Sequence, residues 1–301
     1  MAAARGAFDL GSDVAYQRWR EFKLRWQPRD IGELIVEVAD PRRLSEGERD
    51  ALLDRIACAS MAIYRSPVTA VDRALPIRLG AQLGLHRLDA NWLADADGIS
   101  PIAVDPARGD NGDIGEGGGA YIPYTNRAIN WHTDGYYHPP QRRIHAMILH
   151  CVRDAAEGGD NLLMDHELAY IALRDADPRW IRALMADDAM TIPARQGKAG
   201  VQRAAQAGPV FAADAGSGAL HMRYTARTRS IEWKEDAATR DAAACLHELL
   251  ERAGPHRFGL RLQPGMGLVG HNVLHARSTF VDDAQRPRLL YRARYLDRIQ
   301  A

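Results

Sequence analysis

From residue 143 onward the chain breaks into short apolar stretches: RIHAMILHCV, DNLLMD, AMTIPA, PVFAA, ALHMRY, FGLRLQ, GLVGHN and RLLYRARYL. Runs this short, rich in branched and aromatic residues and bounded by turn chemistry, read as β-strands. Helical spacing interrupts them near 166–174, 178–186 and 238–253, the last ending in a glycine. No regular strand-helix alternation develops, and a doubly wound parallel sheet requires one. The expected class is therefore mainly β with flanking helices, as a sandwich or barrel.

The first hundred residues read differently. DVAYQRWREFKLRW, 13–26, places aromatic and basic residues at helical spacing, and IGELIVEVAD then alternates like a half-buried strand. Ser45 and Glu48 form a capping box ahead of ALLDRIACASMAIYR, which predicts a helix over 46–64, and a second helix is expected over 71–84. The glycine-rich run ARGDNGDIGEGGGA, 107–120, is turn chemistry and must be loop. No Pro/Ser-rich linker divides the chain, so one domain over 1–301 is expected.

Composition excludes more than it names. The 39 basic residues balance 39 acidic ones, and no block of like charge suggests a nucleic-acid arm. Cys58, Cys151 and Cys245 are too far apart for a C-x-x-C zinc site, and they write no disulfide framework. No apolar run reaches membrane-spanning length, and MAAARGAFDLGSD lacks the apolar centre of a signal peptide. A cytoplasmic protein of small-molecule chemistry, without nucleic-acid or membrane partners, is the expectation.

The chemistry concentrates at NWHTDGYY. In an extended segment residues i and i+2 share a face, so His132 and Asp134 converge while Thr133 turns away. Such a pair needs a third ligand from another strand, and GLVGHNVLHARSTF offers His271 and His275. Two histidines and one carboxylate leave three positions open on an octahedral ferrous ion, which suits an oxidisable organic acid and then dioxygen. The arginines of RPRLLYRARY fit the same picture, since a chelating acid needs a fixed guanidinium at its far carboxylate.

INWHTDGYY, GGDNLLMD, and LHARSTF followed by RPRLLYRARYLD together resemble the TauD/TfdA family of iron(II)- and 2-oxoglutarate-dependent dioxygenases. The likeness covers 121–297, with residues 1–100 as a helical and strand support, and extends weakly into LGLHRLDANWLADADGISPI. It implies a double-stranded β-helix, a cupin-like jelly roll, with Fe(II) held by His132, Asp134 and His275. His275 is preferred to His271 because the family's distal histidine directly precedes a short element ending in arginine, here Ala276-Arg277. The cosubstrates implied are 2-oxoglutarate and O2, and the co-products are succinate and carbon dioxide. Asn161 stands where the family commonly has threonine, and Arg288 is expected to clamp 2-oxoglutarate, with Arg292 as its substitute. The presence of Asp134 favours hydroxylation over halogenation.

Two substrate readings follow from the resemblance. Tyr124 and Tyr295 lie where the γ-butyrobetaine hydroxylase branch has cage tyrosines, which favours a trimethylammonium group held by cation-π attraction. The tryptophan of that cage has no counterpart, because Asn111 stands there. In taurine dioxygenase the second arginine of R-x-x-x-R binds the sulfonate, which would make Arg292 a substrate ligand. Trp131 is a further candidate wall residue, and both readings describe a small zwitterionic metabolite. The glycine loop ahead of Tyr121 reads as a lid, and homo-oligomers are common among relatives. A binding protein that senses 2-oxoglutarate and iron without turnover is the alternative reading.

Overall fold

The computed structural model describes residues 6–89, 95–105, 122–197, 200–227, 231–252 and 254–300. A six-stranded sheet runs in the order Ile35–Glu37, Met61–Arg65, Met266–His271, Ala146–Arg153, Leu289–Tyr295, Ser100–Ile102. Its first pair is parallel and the remaining pairs are antiparallel. A four-stranded antiparallel sheet runs Arg257–Leu260, Asn161–Met164, Leu274–Arg277, Ile129–His132.

Side-chain alternation sorts these strands into layers. Met147, Leu149, Leu268 and Leu290 of the large sheet meet Leu163 and Phe258 of the small one in a shared buried cluster. On the other face of the large sheet, Tyr64, Ile148, Val269 and Tyr291 pack under Leu52, Ile56, Leu75 and Leu79 of the helices Glu46–Ala59 and Leu75–Gln82. Trp131, Met164, Leu274 and Ala276, on the outer face of the small sheet, share a cluster with the helices His166–Ala176, Pro178–Leu184 and Ala237–Glu251. Two facing sheets jacketed by helices make the expected double-stranded β-helix. Each large side chain buried in these layers contributes roughly 1.5–3 kcal/mol.

Three N-terminal expectations are corrected. The capping box forms as read, with the Ser45 hydroxyl accepting from the Glu48 N–H, but the helix stops at Ala59 instead of running to 64. Ser60 takes φ 61°, a left-handed stop, and MAIYR becomes a strand paired with residues 266–270. The second helix covers only Leu75–Gln82, because Pro76 is tolerated in a first turn and not deeper. In IGELIVEVAD only Ile35–Glu37 is strand, behind a 3-10 turn at Ile31–Leu34. The glycine loop 107–120, Asn111 and Tyr121 lie outside the described residues.

The helix Asp13–Arg25 is tied to the core by an ion cluster. Lys23 is almost fully buried, and its Nζ stands 2.6 Å from both Asp165 Oδ2 and Glu167 Oε2. Removing one member of a buried ion group leaves the others uncompensated, at about 3–5 kcal/mol. Lys23→Met is expected to lower the unfolding free energy by that amount, seen as a lower urea midpoint at unchanged slope. A loss well under 1 kcal/mol would show that the carboxylates find other partners.

Candidate metal centre

The alternation that builds the layers also aims the polar groups. On Ile129–His132 the even position His132 faces the space between the sheets, and Trp131 faces the helical layer. On Leu274–Arg277 the odd positions His275 and Arg277 face inward, and on Leu289–Tyr295 the even positions Leu290 and Arg292 do so. His275 and His132 are direct cross-strand partners, which brings their ring centroids to 4.1 Å. Asp134 follows in the turn beyond the strand. One ligand-type atom from each of His132, Asp134 and His275 lies within 4.8 Å of the others.

The proton positions are set by neighbours. His132 Nδ1 is 2.9 Å from the Asn130 carbonyl, and His275 Nδ1 is 2.9 Å from the Val273 carbonyl. A carbonyl only accepts, so each Nδ1 carries the proton and each Nε2 presents a lone pair. Burial, with the nearby His275, pushes the His132 pKa down to about 3, so protons do not compete for that nitrogen at neutral pH. Asp134 stays ionised: burial opposes its charge, but Arg292 and Arg294 outweigh it and lower its pKa. Arg292 Nη1 donates to Asp134 Oδ1 at 3.0 Å, while Oδ2 is buried without a hydrogen-bond partner. A buried carboxylate oxygen without a partner is costly unless a cation meets it. This donor set fits a divalent metal of the ferrous kind.

The turn that carries Asp134 is clamped by Asn272, which sequence reasoning passed over. Its Oδ1 accepts from the Asp134 N–H at 2.8 Å, and its Nδ2 donates to the Asp134 and Ile144 carbonyls at 2.8 and 3.0 Å. An asparagine closing the apolar strand GLVGH was the signal available. The neighbouring His271 is buried elsewhere, with Nε2 3.3 Å from the Ile299 carbonyl and Nδ1 3.0 Å from Arg298 Nη2.

A cavity of about 440 Å³, counted to its open mouth, joins His132 and His275 to Asn161, Arg277, Arg288 and Arg292. Arg277 and Arg288 differ in their partners. Arg277 donates to the Thr125 and Arg127 carbonyls and belongs to the wall. Arg288 lies over the Phe280 ring at 5.0 Å and has a buried Nη1 without a hydrogen-bond partner. Burial lowers the Arg288 pKa, against the opposing pull of Cys151, Asp282 and Asp154. The G-G-D element explains its setting: Gly158 and Gly159 take φ 68° and 75°, and a Cβ on Gly159 would stand 3.4 Å from Arg288 Nε. Asn161 lines the cavity with its amide 3.4 Å from the Leu260 carbonyl.

The aromatic candidates are not gathered at the triad. Tyr295 occupies an odd position, so it points away from Arg292, and its hydroxyl donates to the Pro76 carbonyl at 3.0 Å. Trp131 is buried on the helical side, under the Arg257 guanidinium. Tyr124 is buried in the inter-sheet cluster beside the cavity wall.

A buried His-Asp-His set beside a guanidinium with an unpartnered Nη1, inside a double-stranded β-helix, defines a non-haem iron dioxygenase that uses a 2-oxo acid. The family model described as taurine catabolism dioxygenase TauD, TfdA family, matches residues 95–294, and the chain belongs to that family. Among its relatives is a uridine-5'-phosphate dioxygenase of Streptomyces sp, 31% identical over 258 residues, 81% of this chain and 88% of that protein. A second, of Amycolatopsis sp, is 32% identical over 176 residues, 56% of this chain and 60% of that protein. The fold is shared with the non-heme iron oxygenase OrfP in complex with Fe and alpha-ketoglutaric acid, at TM-score 0.60 and 16% identity, covering 98% of this chain and 91% of that one. The enzyme is thus an iron- and 2-oxoglutarate-dependent dioxygenase. No helix among the described residues is long and apolar enough to cross a membrane.

Proposed function

We propose that this dioxygenase oxidises a small nucleoside phosphate of the uridine-5'-phosphate type, with His132, Asp134 and His275 as the iron ligands. The observation that carries the ligand assignment is that His132, Asp134 and His275 present ligand atoms within 4.8 Å of one another, and that the two histidines line one cavity with Arg288, whose buried Nη1 has no hydrogen-bond partner. When bound, Fe(II) and 2-oxoglutarate supply the oxidising chemistry, consuming O2 and releasing succinate and carbon dioxide. The chain's own groups hold the reactants. Both imidazoles offer Nε2, Asp134 offers Oδ2, and Arg292 fixes the other carboxylate oxygen. Arg288 would hold the distal carboxylate of 2-oxoglutarate by a charged hydrogen bond, with the Asn161 amide on the same cavity wall.

The anionic substrate is supported by relatedness and by charge. The relative that aligns with 81% of this chain, at 31% identity, is by its name a uridine-5'-phosphate dioxygenase. Arg277, Arg288, Arg292 and Arg294 are buried around a site whose described buried carboxylates include Asp134 and Asp89. Arg203 lies 5.9 Å from the Tyr137 ring centroid, and Arg227 acts electrostatically on Tyr136. Such surroundings suit an anion better than a quaternary ammonium ion. With Tyr295 on the opposite face of its strand, the trimethylammonium cage also loses a wall.

The test is substrate-stimulated succinate release across uridine 5'-phosphate, uridine, amino-sulfonates and betaines. Uridine 5'-phosphate is expected to stimulate turnover at least tenfold over its absence, and uridine far less. Oxidation at the carbon bearing the phosphate ester would give an unstable product, so phosphate release recorded with succinate locates the attack. Stimulation by a betaine or amino-sulfonate alone would reject the nucleotide reading. Tight 2-oxoglutarate binding with no stimulation by any compound would favour the sensor alternative.

A further inference from the structure

Asp89 lies 43 residues ahead of His132 in the chain, outside every motif that marks the metal centre. Its side chain is fully buried and, among the described residues, sits against Arg294 Nη2 at 2.6 Å, Arg142 Nη2 at 2.5 Å and His138 Nε2 at 3.2 Å. Its backbone N–H also donates to the Arg294 carbonyl at 2.8 Å, so both ends of Asp89 hold the same residue. Arg294 is as buried as the metal-centre residues, and its Nη1 donates to the Tyr137 hydroxyl at 3.2 Å. That same Nη1 stands 3.8 Å from Asp134 Oδ1, the oxygen already bonded to Arg292.

Two guanidinium groups therefore converge on one carboxylate that must also serve a metal. A guanidinium that closed the remaining gap would compete with the metal for Asp134 and would add positive charge beside a dication. Asp89 neutralises Arg294 and pulls its Nη2 in another direction. Burial opposes the charge on Asp89, but His138, Arg294 and Arg142 prevail and lower its pKa. The turn behind the ligand adds to this. Gly135 has φ 67°, its carbonyl accepts from the His138 N–H at 2.8 Å, and a Cβ there would come within 2.7 Å of the His138 ring. The turn that presents Asp134 thus packs on a side chain that Asp89 holds.

We propose that Asp89 is a positioning residue of the metal centre, which restrains Arg294 so that the Asp134 carboxylate stays available to the metal. The inference rests on the reading of Asp134 as a ligand. The test measures Mn(II) affinity of the metal-free chain by electron paramagnetic resonance, with thermal melting as the check on folding. Asp89→Asn keeps the shape and the backbone bond but removes the charge, and it is expected to weaken Mn(II) binding about tenfold to a hundredfold. Adding Arg294→Gln, which removes the released guanidinium, is expected to restore most of that affinity. A purely structural role would lower the melting temperature without this restoration.

Unchanged affinity in folded Asp89→Asn, or a double variant as weak as the single one, would overturn the proposal. Should Asp89→Asn fail to fold, Arg294→Gln alone decides: binding at least as tight as the parent supports the restraint, and weaker binding overturns it. Asp134→Ala separates the two levels, because Mn(II) binding that survives it defeats the ligand assignment and not the role of Asp89 alone.

Discussion

Asp134→Ala is expected to abolish ferrous binding and, with it, every trace of 2-oxoglutarate-dependent succinate formation. Two neutral imidazoles remain in the variant, and neither balances the charge of a divalent ion. Asp134 contributes both an anionic donor and a buried oxygen without another partner. The substitution has a second consequence: Arg292, bonded to Asp134 Oδ1 at 3.0 Å, becomes an uncompensated buried cation. Stability is expected to fall by about 3–5 kcal/mol, so activity alone is an ambiguous readout. Mn(II) binding on protein shown to be folded by circular dichroism removes the ambiguity. Retained turnover in that variant would overturn the ligand assignment.

Arg288→Ala is expected to raise the 2-oxoglutarate requirement roughly tenfold to a hundredfold, the equivalent of about 1.5–3 kcal/mol for a lost charged hydrogen bond. The choice of Arg288 over Arg292 rests on what each guanidinium already does. Arg292 gives its Nη1 to Asp134 and has a buried Nε without a partner, whereas Arg288 has a terminal Nη1 that is buried and has no hydrogen-bond partner. Iron affinity in the absence of 2-oxoglutarate should change little, because Arg288 makes no contact with the triad. Arg288→Lys should recover part of the loss, since an ammonium keeps the charge but not the paired geometry of a guanidinium. No effect at Arg288 beside a large one at Arg292 would exchange their roles.

Much of the site was legible because strand alternation is a local rule. It placed His132 with Asp134 and set the arginines of RPRLLYRARY in a series along one strand. The same rule, applied to its end, excludes two of the aromatic candidates. Trp131 is one residue from His132 and Tyr295 is three from Arg292, so each must face the other side of its strand. The expectation that Tyr295 joins a cage overlooked that parity. The error at residues 60–65 is of another kind. MAIYR continues the helical spacing of the segment before it, and only pairing with residues 35–37 on one side and 266–270, two hundred positions away, on the other makes it a strand.

The linear order of residues was enough to determine the short-strand architecture and the family, and to single out the H-x-D pair and a distal histidine as candidate ligands, since period-two alternation and motif order are written along the chain. Only the folded chain decided that Arg292 holds Asp134, that Arg288 has an unpartnered Nη1, that Asn272 clamps the Asp134 turn and that Asp89 holds Arg294. These are contacts between residues 138 to 205 positions apart. A buried charge takes its role from the nearest opposite charge in space, and no local pattern encodes which one that is.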